Sequence, residues 1–165
     1  MVRGLHHVAI CTPDAERLVR FYRDQLGLEV MLDNSWQRGV ELADTVLGLE
    51  QSAGRQVMLG IGNAYLELFE FWSPPGRAGD PDRPVCDHGY THICIDVDDL
   101  DDTYQRLVAT GVRFHSPPQD LFPGVRMCYS RDPDGNVVEI QELAPQHPFS
   151  VLNSQHRRRS RARMR

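Results

Sequence analysis

The sequence of 165 residues has no long hydrophobic run, no lysine, and no C-x-x-C pair among its four cysteines. No segment approaches the roughly 18 consecutive apolar residues that a membrane-spanning helix requires. The cysteine spacing argues against a disulfide framework and against a zinc cluster built from cysteine, so we expect reduced thiols. The first residues contain no apolar stretch followed by a cleavage site, which predicts a cytoplasmic protein without a membrane anchor.

Basic charge is concentrated near one end of the chain. All 18 basic residues are arginine, and six of them lie between Arg157 and Arg165. Without these six, the remaining 12 basic and 23 acidic residues leave a net charge of −11. Such an acidic body repels nucleic acid, so only the arginine-rich tail could contact it. Residues 145–165 also lose all hydrophobic periodicity, and we predict that they form a solvated, disordered tail.

The chain before the tail repeats one order of predicted elements. Residues 4–71 and 90–143 each show the hydrophobic patterns of a strand, a helix and three further strands, and a connector rich in proline and glycine at 72–89 joins them. Residues 33–53 show no clear pattern, and we assign them to a loop with a short helix. The sequence therefore predicts one α+β domain over residues 1–144, made of two βαβββ modules with curved mixed sheets and outer helices.

Two histidines and two glutamates lie at matching places in the two halves. His7 and His92 each precede an alternating aliphatic run, and Glu67 and Glu139 each interrupt aliphatic residues in the last strand of their half. Because side chains alternate along a strand, all four point away from the aliphatic face. A buried, unpaired carboxylate is unfavourable, and one divalent cation facing all four groups would satisfy both charges. The pattern therefore predicts a metal site formed by these residues.

The spacing within each half supports this pairing. The interval from histidine to glutamate is 60 residues in the first half and 47 in the second, and the 13 extra residues fit inside the 33–53 stretch. His6 competes with His7 for the same role. Only His7 shares with His92 the place before the aliphatic run, so the prediction selects His7.

Several short segments carry a further signal. These are Leu5–Ile10, Phe21–Tyr22 followed by Leu26–Leu28, Thr91–Ile93, and Asp132–Asn136 leading to Glu139. Together they resemble the vicinal oxygen chelate superfamily, which includes glyoxalase I, methylmalonyl-CoA epimerase, extradiol dioxygenases, and the fosfomycin and bleomycin resistance proteins. The resemblance covers roughly residues 4–144. It implies that the two βαβββ modules enclose one divalent metal ion, for which nickel, zinc, cobalt, manganese and iron(II) are candidates.

The resemblance also implies particular ligands. The set in glyoxalase I resembles His7, Glu67, His92 and Glu139 position by position, whereas the epimerases usually carry glutamine at the place of Glu67. Members with a single pair of modules commonly form homodimers, and some build the metal site from both subunits. The sequence leaves open whether the two histidine–glutamate pairs share a metal within one chain or across a dimer.

The leading functional hypothesis is a glyoxalase I-like lyase or isomerase that acts on a small molecule. The metal would chelate two adjacent substrate oxygens, and a carboxylate would move a proton next to the carbonyl. By similarity to glyoxalase I, Glu139 is the first candidate for that base and Glu67 the second. The expected substrate is a thiol adduct of a 2-oxoaldehyde or a related compound, with a small thiol as co-substrate.

Two other functions stay open at this point. An iron(II) extradiol dioxygenase would use His7, His92 and Glu139 as metal ligands and would take an acid–base group from Tyr129, Tyr90 or His88. A small-molecule-binding protein of the resistance type would bind its ligand without catalysis. Absence of bound metal in the purified protein would favour this last function.

Overall fold

The protein is described over residues 2–151 by a computed structural model, and the chain divides into two units whose boundary lies between Asp80 and Pro81. Over this described range, no helix is both long and apolar enough to cross a membrane. Residues 145–149 form turns and a bend, and Ser150 is buried. The rest of the predicted tail, residues 152–165, lies outside the described residues, so its disorder stays a prediction.

The first unit is a four-stranded mixed sheet with two helices. Its strands follow the order β1-β4-β3-β2, with β1 parallel to β4 and the other neighbours antiparallel. Helix α1 continues directly into a π-helical turn over Phe21–Gln25. The elements are β1 (His7–Cys11), α1 (Ala15–Arg20), β2 (Glu29–Trp36), α2 (Glu41–Leu47), β3 (Ala53–Ile61) and β4 (Ala64–Ser73).

Over its described residues, 81–151, the second unit repeats this arrangement with one helix. Its strands follow the order β5-β9-β8-β6, with β7 also paired to β8, and β5 is parallel to β9. The elements are β5 (His92–Asp96), α3 (Leu100–Ala109), β6 (Arg113–Phe114), β7 (Gln119–Phe122), β8 (Val125–Arg131) and β9 (Val137–Leu143). The predicted α+β class with two curved mixed sheets is confirmed.

The repeat extends to the pairing register of the strands. Ala9 of β1 is opposite Glu67 of β4, and Cys94 of β5 is opposite Glu139 of β9. Ala9 lies two positions after His7, and Cys94 lies two positions after His92. The histidine and the glutamate therefore have the same offset in strand register in both units. The duplicated sequence pattern thus corresponds to a duplicated strand geometry.

The two units differ at the place of residues 33–53, for which the sequence shows no clear pattern. Residues 33–36 extend β2, and α2 occupies the centre of the ambiguous stretch. The second unit joins β7 to β8 through Pro123 and Gly124 and has no helix there, which accounts for the extra length of the first half. Pro117 and Pro118 separate β6 from β7, because proline cannot donate a ladder hydrogen bond. The short strand β7 was not predicted.

The aliphatic face of each sheet packs against a helix. In the first unit α1 packs on β3 and β4 and buries Leu18, and in the second α3 packs on β9 and buries Leu107. Full burial of such a side chain contributes about 1.5–3 kcal/mol. Leu66 and Val138 are buried as well, and the residues that follow them, the two site glutamates, therefore point to the opposite face of the sheet.

Both helices that pack on a sheet begin in the same way. Asp14 and Asp99 are the N-caps of α1 and α3, and each side chain accepts a 2.9 Å hydrogen bond from the backbone N–H three residues later. Glu70 and Glu142 each stand three residues after a site glutamate. Their carboxylates accept a hydrogen bond from the first helical N–H, at 3.1 Å in the first unit and 3.0 Å in the second. In each unit, therefore, the glutamate three residues after the site glutamate anchors the helix that packs on the sheet.

We expect Glu70→Ala to lower the free energy of unfolding by about 1–2 kcal/mol. The variant removes the acceptor for the Ala15 N–H and also for the indole N–H of Trp72, 3.1 Å away. Urea denaturation followed by circular dichroism measures the change. Glu50→Ala, at an exposed position, is the control and should alter stability by less than about 0.5 kcal/mol. Equal effects in the two variants would show that Glu70 does not anchor α1.

Candidate metal centre

The first candidate pair lies on neighbouring parallel strands. His7 at the start of β1 and Glu67 in β4 face each other, with Nε2 of the imidazole 3.2 Å from Oε2 of the carboxylate. Glu67 is only 6% exposed, whereas His7 keeps access to solvent. The other carboxylate oxygen accepts a hydrogen bond from the side-chain amide of Gln56 on β3. This buried carboxylate therefore has a partner at each oxygen.

The second pair has the same layout on β5 and β9. Nε2 of His92 lies 2.8 Å from Oε2 of Glu139, and Glu139 is 9% exposed. The Cys94 thiol donates a hydrogen bond to the same carboxylate. Partial burial, and then the neighbouring Glu139 charge, raise the pKa of this thiol to about 12. Cys94 is consequently a neutral hydrogen-bond donor at ordinary pH.

The residue before each histidine contacts the ring nitrogen on the other side. Nδ1 of His7 lies 2.9 Å from Nδ1 of His6, and Nδ1 of His92 lies 2.8 Å from Oγ1 of Thr91. In both units Nδ1 is engaged and Nε2 faces the glutamate. Such contacts orient histidine ligands in metal sites. His6, the competitor of His7 in sequence, is thus its neighbour in the structure, and its ring lies tilted against that of Tyr65 with the centroids 4.9 Å apart.

The ring of Tyr129 lies beside the second pair. The ring of Tyr129 on β8 lies 5.0 Å from the ring of His92 and 6.0 Å from the ring of His115. Burial, followed by the Glu139 charge, raises the pKa of the Tyr129 phenol. Burial and two nearby arginines lower the pKa of His115. Tyr129 is therefore placed beside the pair.

The other two acid–base candidates have different surroundings. Tyr90 is 91% exposed. The guanidinium of Arg83 donates to the backbone carbonyls of both His88 and Tyr90. These contacts hold the backbone of the connector and give neither side chain a catalytic partner.

The chemistry of each pair suits a metal ion. A neutral imidazole nitrogen and a carboxylate oxygen are the donors that zinc, nickel, cobalt, manganese and iron(II) accept in proteins. The structure brings His7 to Glu67 and His92 to Glu139. Over residues 2–151 it contains no group of three or more histidine, cysteine, aspartate or glutamate side chains arranged to hold a metal. Each pair therefore offers two donors of the kinds that a metal ion accepts.

Sequence reasoning missed three neighbours of the pairs. Thr91 directly precedes His92, and Cys94 follows it by two residues on the same face of β5, so strand alternation could have indicated both. Gln56 had no such signal, because it lies diagonally across the hairpin from Glu67 rather than opposite it.

Comparisons with known proteins assign the family. The sequence profile described as glyoxalase/bleomycin resistance protein/dioxygenase superfamily matches residues 4–140. The chain is 30% identical to a 2-epi-5-epi-valiolone epimerase from Actinomyces sp., over 88% of this chain and 82% of that protein. It is 28% identical to the mitochondrial methylmalonyl-CoA epimerase of Homo sapiens, over 84% of this chain and 73% of that protein.

A solved structure shows the same fold. A glyoxalase family protein from Bacillus cereus superposes with a TM-score of 0.79 at 23% identity, covering 87% of this chain and 95% of that one. The profile match, the epimerase relatives and this fold agree with the duplicated strand register described above. The chain belongs to the glyoxalase/bleomycin resistance protein/dioxygenase superfamily.

Proposed function

We propose that this protein is a divalent-metal-dependent enzyme that moves a proton next to a carbonyl group of a small substrate, as an isomerase or a glyoxalase I-like lyase. The observation that carries the proposal is the repeated histidine–glutamate pair, in which Nε2 faces Oε2 at the same strand register in both units. In this proposal His7, Glu67, His92 and Glu139 hold one metal ion. A cytoplasmic location belongs to the same set of predictions.

The epimerase relatives support proton transfer over oxygen chemistry. Epimerisation at a carbon next to a carbonyl proceeds by removing and returning one proton, which needs a base close to that carbon. Both named relatives are epimerases. Glu67 agrees with the glyoxalase I pattern rather than with the glutamine usual in epimerases, so substrates of both classes belong in the test.

Each side chain has a defined task in this reaction. The bound metal would supply Lewis-acid polarisation of the substrate carbonyl. Glu139 takes the proton from carbon and returns it to a neighbouring atom. Cys94 donates its hydrogen bond to Glu139, and Thr91 orients the ring of His92. Burial of Glu139 keeps bulk water away from the proton-transfer site.

Deuterium exchange provides the decisive experiment. The protein is purified without chelator or metal-affinity column, analysed for metal, and then loaded separately with Ni²⁺, Zn²⁺, Co²⁺, Mn²⁺ or Fe²⁺. Each form is incubated in D₂O with hemithioacetals of a 2-oxoaldehyde and with racemic 2-methyl acyl-CoA thioesters. We expect NMR to show catalytic deuterium incorporation at the carbon next to the carbonyl, and chelator to abolish it.

Other outcomes select the remaining functions. Oxygen consumption on catechols by the Fe²⁺ form, without deuterium exchange, would assign ring cleavage instead. Failure to bind any of these metals would leave a small-molecule-binding protein and would contradict the proposal.

The proposal requires one pair from each unit, drawn from one chain or from two chains of a homodimer. His7→Ala and His92→Ala should each abolish activity as pure proteins. If each site is shared between two subunits, refolding the two variants together should restore up to about one quarter of the sites. About half of the randomly formed dimers contain one chain of each variant, and one of the two sites in such a dimer keeps all its ligands. Light scattering tests the homodimer directly, and a monomer with full metal binding would exclude the shared arrangement.

A further inference from the structure

The two site glutamates have different hydrogen-bond partners at equivalent places in the repeat. Met58 is opposite Glu67, as Tyr129 is opposite Glu139. Two residues before Met58 on the same face of β3 stands Gln56. The equivalent residue in β8, two before Tyr129, is Met127.

This difference changes what each carboxylate receives. The amide of Gln56 is a strong donor and binds Oε1 of Glu67. A thioether has no proton to donate, so Met127 cannot serve Glu139 in the same way. Glu139 instead accepts a hydrogen bond from the thiol of Cys94, which is a weak donor. The residue of the first unit at the position of Cys94 is Ala9, whose side chain cannot donate.

The amide bond fixes one orientation of the Glu67 carboxylate. Gln56 engages Oε1 and leaves Oε2 facing Nε2 of His7. A carboxylate held by a donor at one oxygen presents the other oxygen at a constant position, as an orienting partner does for a metal ligand. A carboxylate that takes a proton from one substrate atom and releases it to another is better served by weaker hydrogen bonds.

We infer that Gln56 is a positioning residue that fixes Glu67 as a metal ligand, and that the methionine at the equivalent place leaves Glu139 free for proton transfer. The inference rests on the proposed function, since it assigns different roles to the two glutamates of that site. It adds a residue on β3 that acts through its hydrogen bond to Glu67.

Metal affinity of the apoprotein tests the inference without any turnover. Gln56→Met copies the residue of the second unit and removes the amide donor, and Gln56→Leu removes the same donor with a branched aliphatic side chain. We expect both variants to raise the Kd for Co²⁺, measured by competition with a chelating dye, by about 10–100-fold. The visible absorption bands of bound Co²⁺ should also shift, because the Glu67 oxygen is no longer held at one position.

Gln105→Met is the matched control, because it makes the same change at an exposed position of α3. It should keep the wild-type Co²⁺ affinity and spectrum, and thermal unfolding of the apoproteins should show that the Gln56 variants are folded. Wild-type affinity and spectrum in Gln56→Met, or a loss in this variant but not in Gln56→Leu, would overturn the inference and leave the proposed function intact. Failure of the wild-type protein to bind Co²⁺ or any of the four other metals would overturn both.

Discussion

Glu139→Gln is expected to lower kcat by about 10²–10⁴-fold while the protein keeps its bound metal. The amide has nearly the same shape and retains an oxygen that can face His92, but it cannot accept the proton from carbon. Deuterium incorporation from D₂O into the substrate should fall in parallel with turnover, because both depend on the same proton removal. Steady-state kinetics, metal analysis and NMR exchange on one preparation give the three measurements.

Glu142→Gln is the matched control for this variant. It makes the same substitution three residues later on β9, where the side chain holds the first N–H of α3. Its kcat should remain within about twofold of wild type, although a small loss of stability is expected. Unchanged turnover in Glu139→Gln would remove the base role from this residue.

Glu67→Gln separates the two glutamates. Glutamine is usual at this place in the epimerases that the sequence resembles, and Gln56 can still bond its side-chain oxygen. We therefore expect weaker metal binding with a smaller loss of kcat than in Glu139→Gln. The reverse pattern, with turnover lost only in Glu67→Gln, would exchange the roles of the two residues.

Alternation along the strands was enough to find the candidate pairs. Val8 and Leu66 identified the aliphatic faces, so the sequence could place His7 and Glu67 on the opposite side, and the same pattern recurred at His92. The structure agrees with that placement within each unit, since the facing nitrogen and oxygen atoms lie 3.2 Å and 2.8 Å apart. The assignment of these residues as ligands of one metal remains a proposal.

The sequence did not predict the side-chain contacts between neighbouring strands and helices. Gln56 reaches Glu67 diagonally across β3 and β4, because Met58 stands directly opposite Glu67, and the hairpin pattern does not show which diagonal neighbour a side chain contacts. Glu70 and Glu142 look like ordinary polar residues of the last strands, and only the packing of a helix against the strand reveals their acceptor role. The short strand β7 has too few residues to show a period.

A backbone contact at the start of β9 leads to the largest expected loss of stability. Gly135 has φ of +89° and lies two residues before β9, the strand that carries Glu139. A Cβ atom at this position would lie 2.2 Å from the carbonyl oxygen of Pro81. The guanidinium of Arg131 donates to the carbonyls of both Pro81 and Gly135, at 3.1 Å and 2.7 Å, so both segments are held in place.

Gly135→Ala should therefore lower the free energy of unfolding by about 2–5 kcal/mol, the sum of a left-handed backbone penalty and the displacement of Pro81. Gly111→Ala isolates the first contribution, because Gly111 has φ of +85° in the same unit and nothing within 4 Å of its Cβ position. It should lose only about 1–2 kcal/mol. Urea denaturation compares the two variants, and equal losses would show that Pro81 moves aside freely. Because β9 begins at Val137, a shift of this turn also moves Glu139, so Gly135→Ala should reduce turnover even in the protein that remains folded.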